Sequence, residues 1–265
     1  MRRLLSLTST EGVNVLLAAN ESLLHTLHET THLPWWATLV ASTVLLRSTL
    51  TLPIAIRQQR MLGRWVTLRP VVQSWGETLK QTMAKSSRSQ GASYESYNTQ
   101  LQKEYRQRVK QLYEDHQCSP VKVFLLPWVQ IPLFVCMSLT IRGMAAWPLP
   151  WLSNPNLPVE GFTSGGWDGF MDLTAVYGMG VLPIAIGLTN LANVELNALF
   201  AKNPTTRQQV LRNIYRMISM AMIPISAGVP MALNVYWLSS SSFSVAQNLA
   251  LKNPWVRARL GLIKL

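Results

Sequence analysis

The chain has 265 residues, 48% of them hydrophobic and only 14% charged, yet Lys and Arg outnumber Asp and Glu by 24 to 12. Soluble enzymes carry more charge, about a quarter of their residues, so this balance points away from them. A nucleic-acid binder would match the net charge of +12 but has no need of long uncharged runs, and Cys118 and Cys136 show neither metal-ligand spacing nor a disulfide framework.

The runs predict an all-α polytopic membrane protein with five transmembrane helices. Residues 1–34 form an N-terminal segment that opens MRRLLSLTST, basic, hydroxylated and free of acids up to Glu11, in the manner of an organellar targeting leader. Beyond it, His25, His28 and His32 fall on the polar face of an interfacial amphipathic helix whose Leu23, Leu24 and Leu27 turn to lipid. His28-Glu29-Thr30-Thr31-His32 also matches H-E-x-x-H, two imidazoles one helical turn apart holding zinc with Glu29 as general base. Pro34 ends that helix close behind the motif, and a third ligand would have to come from Glu160, Asp168 or Asp172, none of which sits in a motif.

The first span, 35–56, holds one charge, Arg47, near its middle. A central arginine costs about 2.5–3.5 kcal/mol on insertion scales, and no acidic residue falls at a comparable depth. A hydrated groove accounts for it; the plainer alternative is a hydrogen bond to helix carbonyls. Residues 57–117 carry 11 Lys and Arg and two runs of helical spacing, Leu62 to Met83 and Tyr94 to Leu112, with polar Ser86 to Gly91 between them. They predict a basic helical hairpin on the inner (matrix) side, broken at Ser86 to Gly91 and kinked at Pro70, acting either as a solvated spacer or as a docking arm.

The second span, 121–142, contains 19 consecutive uncharged residues and sets Gln130 between Pro127 and Pro132. The outer loop, 143–175, has Glu160, Asp168 and Asp172 but no Lys or Arg. Its Trp147, Trp151 and Trp167, like Trp35 and Trp36 before the first span, read as interfacial anchors. The third span, 176–199, puts Asn190, Asn193 and Asn197 on one stripe. From Met217 to Leu251 the chain has 35 residues without a charge, too many for one span. They divide into a fourth span, 211–229, and a fifth, 230–251, turning at Gly228-Val229-Pro230. The fifth carries Asn234, Ser241 and Asn248 at seven-residue intervals and a polar run from Ser239 to Ser242.

The tail, 252–265, is short and basic. Together with 57–117 and 201–216 it falls on one side under the positive-inside rule, with the N-terminus outside and the C-terminus inside. Arg47, Gln130, Asn190, Asn193, Asn234 and Ser241 are the candidate groove residues. No catalytic residue, metal or cofactor is expected, and no phosphate-cradling motif is present. A solute channel with Arg47 as an anion site is a second reading, though no internal repeat favours it.

LLRSTLTLPIAIRQQRMLGRWVTLRPVVQ (45–73) resembles the first core span of the YidC/Oxa/Alb insertase family and its basic hairpin. VFLLPWVQIPLFVCMSL (123–139), DLTAVYGMGVLPIAIGLTNLANVE (172–195) and IPISAGVPMALNVYWLSSSSFSVAQNL (223–249) are similar to the later core spans, in the same order. The likeness covers about residues 30–255. It implies a five-helix core with a positively charged groove, open to the inner side and to lipid, in which Arg47 takes the place of the family's groove arginine. Within the family the chain looks most like the mitochondrial branch that assists cytochrome c oxidase assembly. No large outer domain precedes the first core span, and no long basic ribosome-binding tail follows Leu251. The resemblance implies location in the mitochondrial inner membrane, with the N-terminus in the intermembrane space and the C-terminus in the matrix. Its implied partners are lipid and nascent or imported membrane proteins, cytochrome c oxidase subunit 2 among them, and no nucleic acid.

Overall fold

A computed structural model of the chain describes residues 10–90, 94–116, 125–148, 157–199 and 205–262. Among these residues the fold is helical, with no strand beyond one isolated bridge between Trp167 and Phe170. The helices are α1 (Thr10–Thr31), α2 (Trp35–Leu46), α3 (Leu52–Gln90), α4 (Tyr94–Asp115), α5 (Leu125–Met144), α6 (Val181–Leu199), α7 (Thr206–Ala227), α8 (Met231–Lys252) and α9 (Pro254–Arg259); a five-residue π turn, Arg47–Thr51, joins α2 to α3. One continuous apolar stretch, beginning at Trp35 in the helix that runs to Lys85, is long enough to cross a membrane by length and composition, and a shorter apolar helix covers Trp128–Met144.

Local chemistry explains the boundaries. Pro53 has no N–H to give the carbonyl of Thr49, and its ring crowds that carbonyl. The helix widens there, so that the Leu52 N–H reaches the Arg47 carbonyl, and the Thr51 hydroxyl bonds the same oxygen at 2.9 Å. At α7 a capping box closes the N-terminus: the Gln208 N–H donates to Thr205 Oγ1 while the Thr205 N–H donates to Gln208 Oε1. α7 stops at Ala227 and α8 starts at Met231, so the chain turns at Gly228-Val229-Pro230.

One expectation needs correction. α3 is helical on both sides of Pro70; Pro70 and Val66 are both exposed, so water can serve the carbonyl that the proline leaves without a donor. The helix also continues through Ser86–Gln90, where a polar break was expected, since extending a formed helix costs far less than starting one. Gly91, the last residue of that expected break, lies outside the described residues, as do Trp151, residues 1–9 of the targeting leader and all of 117–124.

The chain forms two compact units. The first comprises residues up to Leu52 and Gln130–Lys252. Its core gathers Leu24 of α1, Trp35 and Leu39 of α2, Met137 and Ile141 of α5, Leu182 of α6 and Met231 to Tyr236 of α8, with Phe162 and Leu173 from the segment before α6. Beside this apolar core the unit also buries hydroxyl side chains, and it leaves large apolar ones exposed. Thr38, Ser42, Thr43, Ser219, Ser226 and Ser240 are buried; Val44, Leu45, Val135, Ile184, Leu188, Met217 and Ile218 are exposed.

The segment 157–180, expected as part of an outer loop and the start of a span, is an ordered cap. The Gly165 carbonyl accepts the Trp36 N–H at 3.0 Å, Ala175 accepts from Met231 at 3.0 Å, and Leu173 accepts from Ala232 at 2.8 Å. These are donors that helix starts leave without intrahelical partners. Gly165 and Gly166 allow the close approach: a Cβ on Gly166 would stand 1.9 Å from the Phe170 carbonyl oxygen. Trp35 is therefore no interfacial anchor; it is 2% exposed, and its Nε1–H donates to the Glu160 carbonyl at 3.0 Å.

The second unit comprises Pro53–Val129 and Asn253–Leu265. Within it α3 and α4 run antiparallel. Trp65 Nε1 donates to Tyr113 Oη at 3.1 Å, Gly76 faces the Tyr105 ring, and the Tyr97 hydroxyl donates to the Lys80 carbonyl at 3.3 Å. The tail forms α9, capped by Asn253, and Arg60 donates through Nε and Nη2 to the Leu260 carbonyl at its end.

Candidate functional site

Arg47 is buried, with 8% of its surface exposed, at the start of the π turn. Its Nη1 donates to Ser244 Oγ at 2.7 Å and its Nη2 to Ser240 Oγ at 2.5 Å, both on α8. The guanidinium lies 5.9 Å from the centre of the Phe243 ring. No carboxylate pairs with it among the described residues, so the hydroxyls solvate the charge without cancelling it.

Beside it lies a narrow cleft of about 10 Å³, room for no more than about one water molecule, lined by Thr43, Leu46, Arg47, Thr51, Gln130 and Tyr236, with Leu133, Phe134 and Met137 behind. Thr43, Arg47 and Thr51 recur every four residues, so one face of the α2 helix and its continuation supplies the polar wall. A membrane-spanning helix about 30 Å long and 10 Å across displaces roughly 2,400 Å³, so this cleft holds a polar stretch of chain only if its walls part.

The sequence-predicted residues divide between two places. Arg47 and Gln130 share the cleft. Asn193 and Ser241 instead form a seam between α6 and α8: Asn193 Nδ2 donates to the Ser241 carbonyl at 3.0 Å, and Thr189 Oγ1 lies 2.8 Å from Ser241 Oγ. Asn248 continues it, donating to Asn193 Oδ1 at 3.0 Å, and the Lys252 ammonium bonds the Leu196 carbonyl and Asn197 Oδ1. Asn190 lies one turn before Asn193 on α6, half-buried. Asn234 is 4% exposed, and its Oδ1 finds no partner among the described residues. Ser240, Ser244 and Tyr236 were missed. The i, i+4 spacing of the two serines was the available signal, masked because Ser240 sits within the run Ser239 to Ser242 and Ser244 just beyond it.

The H-E-x-x-H reading meets a conformational obstacle. α1 ends at Thr31 and His32 takes φ 52°, a left-handed conformation that carries it off the helix bearing His28. No group of three or more metal-ligating side chains occurs among the described residues. His28 stacks on Trp35 at 4.0 Å between ring centres, and His25 meets the same indole edge-on at 5.3 Å. Of the leucines expected to face lipid, Leu24 is instead fully buried in the core.

A further missed pair joins α6 to α7. Arg216 makes a two-pronged bond to Glu195, 2.5 Å from Nε to Oε1 and 2.8 Å from Nη2 to Oε2.

The pattern of the family described as 60Kd inner membrane protein matches residues 26–258, nearly the whole chain and both units. The chain belongs to the YidC/Oxa/Alb family. It is similar to the cytochrome c oxidase assembly protein COX18, mitochondrial, of Mus musculus, 36% identical over 229 residues that make up 86% of this chain and 69% of the mouse protein. The human protein of that name is 34% identical over 243 residues, covering 89% of this chain and 71% of the relative. The mitochondrial inner membrane protein OXA1 of Arabidopsis thaliana is 27% identical over 244 residues, 92% of this chain and 51% of its own length. In this YidC/Oxa/Alb member, Arg47, Gln130 and the α6–α8 seam all fall inside the matched region.

Proposed function

We propose that this chain is a multi-pass insertase of the mitochondrial inner membrane that assists cytochrome c oxidase assembly. In this reading α2 with its continuation, α5, α6, α7 and α8 are the five spans. The N-terminus lies in the intermembrane space, and α3, α4 and the C-terminus lie on the matrix side. Three things support it: family membership, the mitochondrial relatives named for oxidase assembly, and a first unit that buries hydroxyls and exposes large apolar side chains. That inversion suits lipid, where polar groups must find partners inside the bundle.

Arg47 carries the mechanism. It is a buried cation held by two serines and no carboxylate. Its positive field attracts an acidic or polar segment of a substrate into the cleft beside Gln130, and that segment replaces the hydroxyls as the ligand of the guanidinium. Opening of the bundle lets the substrate's apolar segment leave sideways into lipid, where burial of about 20 apolar residues supplies the free energy. No nucleotide enters this scheme. The expected substrate is the tail-bearing segment of cytochrome c oxidase subunit 2.

A photo-crosslinking residue at Gln130, with one at Asn193 in the α6–α8 seam as control, tests the assignment during insertion of radiolabelled subunit 2. The proposal expects adducts from position 130 that fall at least fivefold in an Arg47→Ala background. Equal capture from both positions, indifferent to Arg47, would contradict it.

A further inference from the structure

A second cleft, about 450 Å³, opens between the facing ends of α6 and α7. Its walls are apolar: Val194 and Ala198 come from α6, Leu211 and Tyr215 from α7. Leu211 and Tyr215 are more than half exposed although both are large and apolar or aromatic, so the protein's own core does not cover them. The polar lining residues are Asn193 and Asn197 at the α6 edge, and Gln208 and Arg212 on α7. The two asparagines are occupied by α8 through Ser241, Asn248 and Lys252, and Gln208 by the capping box. Glu195 takes both prongs of Arg216 and lies within electrostatic reach of Arg212. Arg212 Nε has no hydrogen-bond partner among the described residues. With Glu195 claimed by Arg216, Arg212 brings positive charge to one end of an apolar slot.

We propose that this slot binds one anionic phospholipid of the matrix-side leaflet, its phosphate on Arg212 and an acyl chain along Val194, Ala198, Leu211 and Tyr215. A guanidinium offers paired N–H donors that suit phosphate oxygens, and basic pockets between membrane helices recognise anionic headgroups in this way. The lipid bridges α6 and α7 at the end opposite their Gly228 side. The inference rests on α6 and α7 being membrane spans, as proposed above, but not on Arg47 or on any substrate.

Native mass spectrometry of the full chain in detergent, with phosphatidylglycerol, phosphatidylcholine or glycerol phosphate added, tests it. The wild type retains one phosphatidylglycerol in preference to phosphatidylcholine. Arg212→Gln weakens that binding about fivefold, the effect of one cation on an anionic headgroup, and Arg212→Lys restores most of it. Arg207→Gln, an exposed cation on the same helix, leaves it unchanged. Equal retention by the wild type and Arg212→Gln overturns the proposal, and so does glycerol phosphate binding as tightly as the lipid, which would make the site one for a free anion. Retention of no lipid of either kind by the folded wild type instead counts first against the membrane reading of these helices.

Discussion

Arg47 illustrates how a buried charge can be held without being neutralised. Two serine hydroxyls take its Nη atoms, and Ser244 Oγ is also within bonding distance, 3.1 Å, of the Ser240 carbonyl on its own helix. Replacing Arg47 with Met removes two hydrogen bonds to a charged group, worth about 1.5–3 kcal/mol each, and relieves an insertion cost of about 2.5–3.5 kcal/mol. The serines can turn back onto their own helix, so nothing is orphaned. Arg47→Met should therefore lose no more than about 3.5 kcal/mol in a detergent melt; a larger loss would make Arg47 a structural residue. The charge and its missing acid were legible in the sequence. Its partners were not, because a run of four serines, Ser239 to Ser242, does not reveal which of them the rotation of α8 turns toward Arg47. The heptad row Asn234, Ser241, Asn248 was equally visible but lies on the neighbouring face, where Ser241 and Asn248 meet α6.

Helix periods were easier to read than what covers the helix ends. The turn at Gly228 to Pro230 followed from glycine and proline in a long uncharged run. The cap at 157–180 had no such signature, because it works through backbone carbonyls of Gly165, Leu173 and Ala175 that no side-chain pattern advertises. Its tightness makes it fragile. Gly166→Ala brings a Cβ against the Phe170 carbonyl oxygen, a backbone atom with no rotamer to yield, and should cost at least about 2 kcal/mol. Thermal melts and proteolysis near Trp167 would register it; a neutral result would mean that the cap does not seal the bundle. Gly187 differs, since a Cβ there meets the flexible end of Ile223. Gly187→Leu should overpack the α6–α7 contact by about 1–3 kcal/mol, and Ile223→Ala in the same chain should relieve much of that loss in the melt.

The whole molecule combines a bundle that presents apolar surface outward with a basic pair of long helices in a separate unit. Sequence alone made both parts visible, because lipid-facing stretches lack charge and the helices of 57–117 are rich in it. It did not show that helix continues past α2 through a π turn into α3, since Arg57 and the residues after it read as the start of a loop. Residues 76–112 lie wholly in the second unit, so their deletion should lower capture of substrate while leaving the melt of the spans in place. Coincident loss of both would mean that the hairpin is structural. In the proposed mechanism a buried arginine with no acidic partner draws in the substrate's acidic segment, and no nucleotide is needed. The most direct test of that mechanism is protease protection of a radiolabelled single-span substrate with an acidic tail, in liposomes containing the purified protein and no nucleotide. Wild type should protect the tail, Arg47→Lys should protect part of it, and Arg47→Ala should fall at least tenfold, equivalent to about 1.4 kcal/mol. Equal protection by all three would contradict the charged-groove account.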